Sequence, residues 1–251
     1  MPTDRELALM ADRLHAGART TVLTGAGVSS ASGVPTFRGT DGLWRRHRPE
    51  DLATPHAFRR APALIWEWYD WRRRLVADCE PNRAHAVLAA WTRRDRDMRL
   101  ITQNVDGLHE RAGALRVIRF HGSLWEVGCW EQCPDSPKRW GDLTVPFKTL
   151  PPTCSYCGGL LRPGVVWFGE GIDPGVLAQS DDATACDLFL TIGTSSLVHP
   201  AAGLIEQARR RGAFTVEINP VDTAVSDQVD LVLRGTAEAV LTAIEHRMAS
   251  N

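Results

Sequence analysis

Short apolar runs alternate with longer amphipathic stretches along most of this 251-residue chain, and few folds accommodate that order. The longer stretches have helical length and periodicity; the N-terminal one, for example, places Leu7, Met10, Ala11 and Leu14 on one face. Each short run ends in a polar or glycine-containing loop, and the runs are TTVLTGAG (20–27), MRLITQNVDG (98–107), LRVIRFHGS (115–123), CDLFLTIGTSS (186–196), AFTVEINP (213–220) and DLVLRG (230–235). The alternation predicts the α/β class, with a parallel sheet covered by helices on both faces.

Two regions, residues 38–77 and 126–160, interrupt this alternation, and the second is rich in proline, cysteine and tryptophan. We therefore predict a Rossmann-like domain formed by residues 1–37, 78–125 and 161–251. The two interrupting regions are expected to form a small second domain, one contributing a helical module and the other a metal-stabilised ribbon. In open parallel sheets ligands bind beyond the carboxyl ends of the strands, so the loops that end the apolar runs are the candidate binding site.

The charge balance argues against two classes of partner. Charged residues make up 24% of the chain and the formal net charge is −1, so the protein lacks the basic field that general nucleic-acid or membrane-surface binding needs. Charges interrupt the apolar residues of the N-terminal stretch, which is unlike a secretory signal, and no apolar run approaches membrane-spanning length. We expect a cytoplasmic protein with reduced cysteines. We also expect a monomer, although no feature of the sequence fixes the oligomeric state.

Four of the six cysteines form two pairs about twenty residues apart. Cys129 and Cys133 belong to CWEQC, and Cys154 and Cys157 belong to CSYC. In a reduced compartment this arrangement indicates a tetrahedral zinc ribbon, in which the metal replaces a core that the irregular region does not build. The alternative is a set of unpaired thiols. The other two cysteines, Cys79 and Cys186, are expected to be small buried apolar residues.

The loop after the first apolar run, GAGVSSASG, is typical of a dinucleotide phosphate loop. Gly25 and Gly27 would form a tight turn and let backbone N–H groups approach a pyrophosphate. Ser30 stands where the simple fingerprint has its third glycine, so the loop alone is a weak signal and an ordinary turn is equally compatible.

Other strand-end loops carry polar side chains that suit a nucleotide. Gln103, Asn104 and Asp106 could bind a nicotinamide amide and a ribose, or could simply form a turn. His121 follows another run and titrates near neutral pH, as a general base must, although most isolated histidines are structural. The GTSS loop (193–196) and Asn219 could contact adenosine or could be turns.

Taken together, these motifs resemble those of the sirtuins, the NAD-dependent protein deacylases. The resemblance follows GAGVSSASGVPTFRG, TQNVDGLH, HGS, the four cysteines, VVWFGE, GTSS and EIN in the family's order along nearly the whole chain. It implies NAD as co-substrate, a zinc ion on the four cysteines, and acyl-lysine proteins as substrates. It implies His121 as the catalytic base, with Asn104 and Asp106 assisting catalysis. It also implies the following NAD-binding residues: Gly25, Ala26, Gly27, Ser29, Phe37, Arg38, Gln103, Asn104, Asp106, Gly193, Thr194, Ser195 and Asn219.

The resemblance further implies the course of the reaction. The acyl-lysine oxygen attacks the nicotinamide ribose, nicotinamide leaves, and the products are free lysine and 2′-O-acyl-ADP-ribose. The segment VVWFGE resembles the strand on which sirtuins pair the substrate peptide by its main chain, which implies Val166, Trp167, Phe168, Gly169 and Glu170 as substrate-binding residues. An ADP-ribosyltransferase or an NAD hydrolase on the same scaffold is the alternative, and a non-catalytic NAD-sensing module is a further one.

The stretch WEWYDWRRR (66–74) bears on the substrate. Tyr69 and Arg72 share one face of a helix and are similar to the Tyr-x-x-Arg pair of the class III sirtuins, which implies binding of the carboxylate of a succinyl, malonyl or glutaryl group. Removal of acetyl groups remains compatible with the pair. The alternative is an amphipathic helix on which Arg72 is solvated, and we expect Arg73 and Arg74 to be solvated in either case.

Overall fold

Six parallel strands form the central sheet of the computed structural model, which describes residues 2–15, 17–36 and 48–250. The strands in these described ranges are β1 (Thr20–Thr24), β2 (Arg99–Thr102), β3 (Val117–Arg119), β4 (Gly122–Cys129), β5 (Trp140–Gly141), β6 (Leu161–Val165), β7 (Leu188–Ile192), β8 (Phe214–Asn219) and β9 (Leu231–Arg234). The order in the central sheet is β3-β2-β1-β7-β8-β9. The order reverses between β1 and β7, and such a switch point opens a crevice at the carboxyl ends of the strands.

Helices cover both faces of this sheet, as the sequence predicts. The helices are α1 (Asp4–His15), α2 (Pro49–Leu52), α3 (Pro55–Arg60), α4 (Pro62–Ala77), α5 (Arg83–Arg94), α6 (Leu108–Arg111), α7 (Pro174–Ala183), α8 (Leu204–Arg210) and α9 (Ala237–Ala249). Helices α1, α5 and α9 pack with Val22 on one face, whereas α7 and α8 pack with Leu23 on the other. Adjacent residues of β1 therefore serve opposite cores, because successive strand side chains alternate between faces.

The N-terminal helix α1 buries the apolar face that the sequence pattern predicts. Met10 and Ala11 are fully buried, and Leu7 and Leu14 pack against the same core, so all four residues of the predicted face point inward. The predicted α/β class is confirmed.

A second core lies outside the central sheet. Helices α3 and α4 pack on a three-stranded antiparallel sheet of order β5-β4-β6, and aromatic side chains fill the space between them. The Phe58 and Trp130 rings are 4.8 Å apart, and the Trp66 and Phe147 rings are 5.1 Å apart. The region 126–160 showed little strand pattern in the sequence, so this sheet is a finding of the structure. The division into two domains at the stated boundaries stays a prediction.

Within the described ranges, no helix combines the length and apolar character needed to cross a bilayer.

Candidate active site

A cleft of about 760 Å³ opens at the carboxyl edge of the central sheet, between the sheet and the second core. It is large enough for a dinucleotide fragment or a drug-sized ligand. Side chains and backbone from the ends of β1, β2, β7 and β8 line one side, and residues of α4 and of the segment after β6 line the other. Phe37 and Arg38, which the resemblance implied as NAD-binding residues, lie outside the described residues.

Three glycines at the switch point hold the loops after β1 and β7 against each other. The N–H of Gly27 donates to the carbonyl of Gly193 at 2.8 Å, and the N–H of Gly25 donates to that of Ile192 at 3.0 Å. A Cβ on Gly25 or Gly27 would lie 2.8 Å from backbone atoms of Gly193, and Gly193 itself has φ +60°. A side chain at any of these three glycines would therefore clash, and Ala26 between Gly25 and Gly27 lines the cleft.

The polar loop after β2 is held from beneath by a buried hydroxyl. Ser29 Oγ accepts a hydrogen bond from Asn104 Nδ2 at 3.1 Å and donates one to Asp106 Oδ2 at 2.8 Å. Asn104 lines the cleft, whereas Ser29 and Asp106 lie behind it and are almost fully buried. Burial raises the pKa of the Asp106 carboxyl, although the N–H of Leu108 and the hydroxyl of Ser29 oppose that rise. Asp106 is thus placed to orient Asn104 through Ser29.

Two buried histidines, which the sequence reasoning missed, support this loop. His85 Nδ1 accepts from the N–H of Asn82 at 3.2 Å, so its Nε2–H faces Ser29 Oγ at 3.3 Å. His109 Nε2 lies 3.0 Å from Thr24 Oγ1, and the two imidazole rings meet edge to face at 4.9 Å. Burial lowers the pKa of His85 to about 3, with a further contribution from His109, and lowers that of His109 to about 4. Both rings are therefore neutral near pH 7, and the apolar spacing of AHAVLAAW (84–91) was the signal that a buried histidine was present.

His121 lies in the two-residue connection between β3 and β4 and lines the cleft. Its Nδ1 is 3.2 Å from the carbonyl oxygen of Gln103, so Nδ1–H donates and Nε2 keeps its basic lone pair. Burial lowers the pKa of the imidazole, and the bond to Gln103 partly opposes that shift. The side chain is a neutral base near pH 7.

At one end of the cleft, residues at the carboxyl ends of β2, β7 and β8 are hydrogen-bonded to one another. Asn219 Nδ2 donates to the carbonyl of Thr194 at 2.9 Å, and Gln103 Nε2 donates to Thr194 Oγ1 at 2.9 Å. Ser195 lines the same wall. The residues considered as adenosine contacts in the sequence, Thr194, Ser195 and Asn219, therefore share one wall of the cleft with Gln103.

The other end of the cleft carries Tyr69 and Arg72 on helix α4. The two residues are 2% and 8% exposed, so the alternative of a solvated Arg72 is wrong. The Arg72 guanidinium lies 4.9 Å from the Trp68 ring centroid. Burial lowers the pKa of Arg72 and raises that of Tyr69, and each of these two opposes the shift of the other. Trp167 Nε1 donates a hydrogen bond to Tyr69 Oη at 2.9 Å.

The expectation that Arg73 is solvated is also wrong. Its side chain is 1% exposed, and Nη1 donates to Asp142 Oδ1 at 2.8 Å and to the carbonyl of Thr144 at 3.1 Å. The guanidinium also packs over the Phe147 ring. Arg74 is largely exposed, as expected, and pairs with Asp70.

The segment expected to be a peptide-pairing strand is only partly a strand. Strand β6 ends at Val165, which pairs with Gly122 of β4. Val166 N–H donates to the carbonyl of His121, and Phe168 N–H donates to that of Ala53, both at 2.9 Å. Trp167 N–H donates to Glu170 Oε2 at 2.9 Å. Residues 166–170 nevertheless line the cleft, with Gly169 at φ +85°.

The four predicted metal ligands are brought together. Their sulfur atoms all lie within 4.8 Å of one another, with Cys129 and Cys157 3.6 Å apart and Cys133 and Cys154 4.0 Å apart. Tetrahedral zinc with Zn–S bonds of about 2.3 Å requires sulfur atoms roughly 3.8 Å apart, so the cluster fits that metal. Cys79 and Cys186 are buried away from it, as expected.

Comparisons of the sequence and the fold with known proteins point to the same family. Residues 25–200 match the sequence model of the Sir2 family. NAD-dependent protein deacylase 1 of Caldanaerobacter subterraneus subsp. tengcongensis is 46% identical over 227 residues, covering 90% of this chain and 92% of that protein. The NAD-dependent protein deacylase of Aquifex aeolicus is 47% identical over 220 residues, covering 87% and 90%. The crystal structure of a Sir2 homologue–NAD complex superimposes with a TM-score of 0.87 at 41% identity, covering 100% of this chain and 95% of that one.

Proposed function

This chain belongs to the Sir2 family and is an NAD-dependent protein deacylase, and we propose that its preferred substrates are proteins whose lysines carry succinyl, malonyl or glutaryl groups. The observation that carries this preference is the burial of Tyr69 and Arg72 at one end of the cleft. Acetyl-lysine is a secondary substrate in this proposal.

The physical basis is the chemistry of the two side chains. A guanidinium binds a carboxylate through two charge-assisted hydrogen bonds, and a phenol can add a third. Trp68 and Trp167 wall the same region, and in such a water-poor environment an ion pair is stronger than at the surface. A neutral acetyl group offers neither the charge nor the oxygens, so the pair favours acidic acyl groups.

The opposite end of the cleft fits NAD. The loops that Gly25, Gly27 and Gly193 hold together leave a cradle that a Cβ would fill, which suits the close approach of a pyrophosphate to backbone N–H groups. In this proposal Thr194, Ser195 and Asn219 bind the adenosine half. NAD supplies the ribose carbon to which the acyl oxygen becomes bonded, with nicotinamide as the leaving group.

Two residues act at the reacting centre in this proposal. Asn104, oriented through Ser29 and Asp106, positions the nicotinamide ribose. His121 Nε2 removes a proton from a ribose hydroxyl, because its Nδ1–H is already committed to the Gln103 carbonyl. The neutral state that burial favours is the state that a general base needs.

The substrate peptide is proposed to lie at the mouth of the cleft. Phe168 and Leu197 are 42% and 57% exposed on the two loops that border it. The backbone of residues 166–170 would pair with the peptide main chain, which gives affinity with modest dependence on peptide sequence. We further propose that the metal on the four cysteines is zinc and that it stabilises the second core rather than taking part in the reaction.

The test measures kcat/KM on one peptide carrying either succinyl-lysine or acetyl-lysine, at saturating NAD. We expect the wild-type protein to favour the succinyl peptide. Arg72→Met should lower the succinyl value by roughly 100-fold while changing the acetyl value by less than about 3-fold, since it removes a charged hydrogen-bonding partner. Arg74→Met on the same helix is the matched control, because its guanidinium is largely exposed.

Equal losses on both substrates in Arg72→Met would contradict the carboxylate role. The amount of acyl-ADP-ribose formed should equal the amount of nicotinamide released. Nicotinamide release without acyl-ADP-ribose would instead identify an NAD hydrolase or an ADP-ribosyltransferase.

A further inference from the structure

At the end of the cleft that is proposed to hold the acyl group, the indole of Trp167 is hydrogen-bonded to Tyr69. Trp167 Nε1 lies 2.9 Å from Tyr69 Oη, and each residue is 2% exposed. The two side chains come from different elements, since Tyr69 lies on α4 and Trp167 follows β6. They are 98 positions apart in the chain, so their meeting is a property of the fold.

The direction of this hydrogen bond is fixed by chemistry. An indole N–H can only donate, so the phenol oxygen must accept from it. One lone pair of Tyr69 Oη is therefore occupied, and the phenolic hydrogen is turned away from Trp167. The hydroxyl keeps that hydrogen to donate within the cleft that both residues line.

The indole is itself held in place by an ion pair. The Arg162 guanidinium lies 4.0 Å from the Trp167 ring centroid and forms two bonds to Glu170, at 2.5 Å and 2.8 Å. Glu170 Oε2 also accepts the backbone N–H of Trp167 at 2.9 Å. The Phe58 ring, 5.2 Å away, packs against the indole as well. Contacts within the protein therefore hold the indole that donates to Tyr69.

We propose that Trp167 is a positioning residue for acyl selectivity: its indole N–H turns the Tyr69 hydroxyl so that the hydroxyl donates to the carboxylate of an acidic acyl group. This inference rests on the proposed preference for such groups. It gives the side chain of Trp167 a role separate from the main-chain pairing proposed for its segment. Preorganisation of this kind improves binding because the donor need not be ordered when the ligand binds.

The protonation state of the phenol is consistent with this role. Burial raises the pKa of Tyr69, and the hydrogen bond from Trp167 and the charge of Arg72 oppose that rise. The phenol is therefore protonated near pH 7 and can donate, while Arg72 supplies the positive charge.

The experiment is a double-mutant cycle on two substrates. Wild type, Trp167→Phe, Tyr69→Phe and the double variant are each assayed with the succinyl and the acetyl peptide. We expect Trp167→Phe to lower the succinyl-to-acetyl ratio of kcat/KM by roughly 5- to 10-fold, with the succinyl loss mainly in KM. In the Tyr69→Phe background the same change should have almost no further effect on that ratio, because the hydroxyl that it orients is already gone.

A matched control removes a buried indole donor elsewhere. Trp91 is also 2% exposed, its Nε1–H donates to Glu245 Oε2 at 2.5 Å, and neither residue lines the cleft. Trp91→Phe should leave the succinyl-to-acetyl ratio unchanged. Should Trp167→Phe fail to fold, site-specific replacement of Trp167 by a benzothienyl analogue, which has sulfur in place of N–H, keeps the shape and makes the same test.

The outcomes separate this inference from the proposed function. If Trp167→Phe lowered kcat/KM equally on both peptides, or if the effects of the two substitutions on the succinyl-to-acetyl ratio multiplied in the double variant, the role of Trp167 would be overturned. The proposed function would still stand as long as the wild-type protein preferred the succinyl peptide. A wild-type protein that prefers the acetyl peptide would overturn both.

Discussion

Among single residues, His121 carries the clearest pH signature. Burial lowers the pKa of its imidazole below the ordinary value of 6.5, and a general base must be neutral to act. We therefore expect the acid limb of kcat/KM to have its midpoint below pH 6.5 and the rate to be level above it. The measurement uses the acetyl peptide, whose acyl group does not titrate.

Returning each sample to neutral pH and reassaying it controls for acid unfolding. A midpoint at or above pH 6.5, or deacylation that persists in His121→Ala, would contradict the assignment of the base.

Individual residues also show what a sequence leaves undecided. Arg72, Arg73 and Arg74 follow one another, yet the first lines the cleft, the second is buried against Asp142 and the third is exposed. Successive helical positions point about 100° apart, so neighbours must differ. Which direction faces the interior depends on Asp142, nearly seventy positions away, and no local pattern contains that information.

At the scale of elements, the cysteine cluster gives a second prediction. If zinc replaces part of the second core, one metal ion per chain should be bound, and Cys154→Ser should lose it together with the packing of β4 and β6. Cys154 and Cys129 are buried members of that core, so the loss should expose aromatic side chains.

The measurement combines metal analysis with tryptophan fluorescence. Cys79→Ser, a substitution of a buried cysteine outside the cluster, should retain the metal. A folded Cys154→Ser protein with wild-type fluorescence would argue against a structural metal.

The strands differ in how well the sequence alone predicts them. The central strands are apolar on both faces and end in glycine or polar loops, so β1, β2, β7 and β8 could be predicted from their composition. Strand β6 contains Pro163 and Gly164, which read as a turn, and β5 is only two residues long. These short strands exist because β4 pairs with them and the aromatic core covers them, which is tertiary information.

For the molecule as a whole, the buried histidine pair predicts how stability depends on pH. The pKa values of about 3 for His85 and about 4 for His109 lie below the ordinary 6.5, so the unfolded chain binds protons that the native state does not. The stabilisation that comes from keeping these two rings neutral should be fully present above pH 6.5 and should be lost as the pH falls toward 4. When the pH is lowered from about 7.5 to about 5, His85 and His109 should each reduce the free energy of unfolding by about 2 kcal/mol.

Urea unfolding at those two pH values checks this expectation. His109→Gln should remove about half of the histidine-dependent loss, whereas His246→Gln, a change on the surface, should leave the loss unchanged. An unaltered pH dependence in His109→Gln would mean that His109 does not titrate as described.

The two ends of the cleft are supplied by different parts of the chain. The glycine loops and His121 adjoin strands of the central sheet, whereas Tyr69 and Arg72 belong to a helix of the second core and Trp167 follows one of its strands. Substitutions that change which acyl group is accepted can therefore accumulate without disturbing cofactor chemistry. Descendants of such a scaffold could acquire new substrates by exchanging one helix and one turn, and a designer could follow the same route.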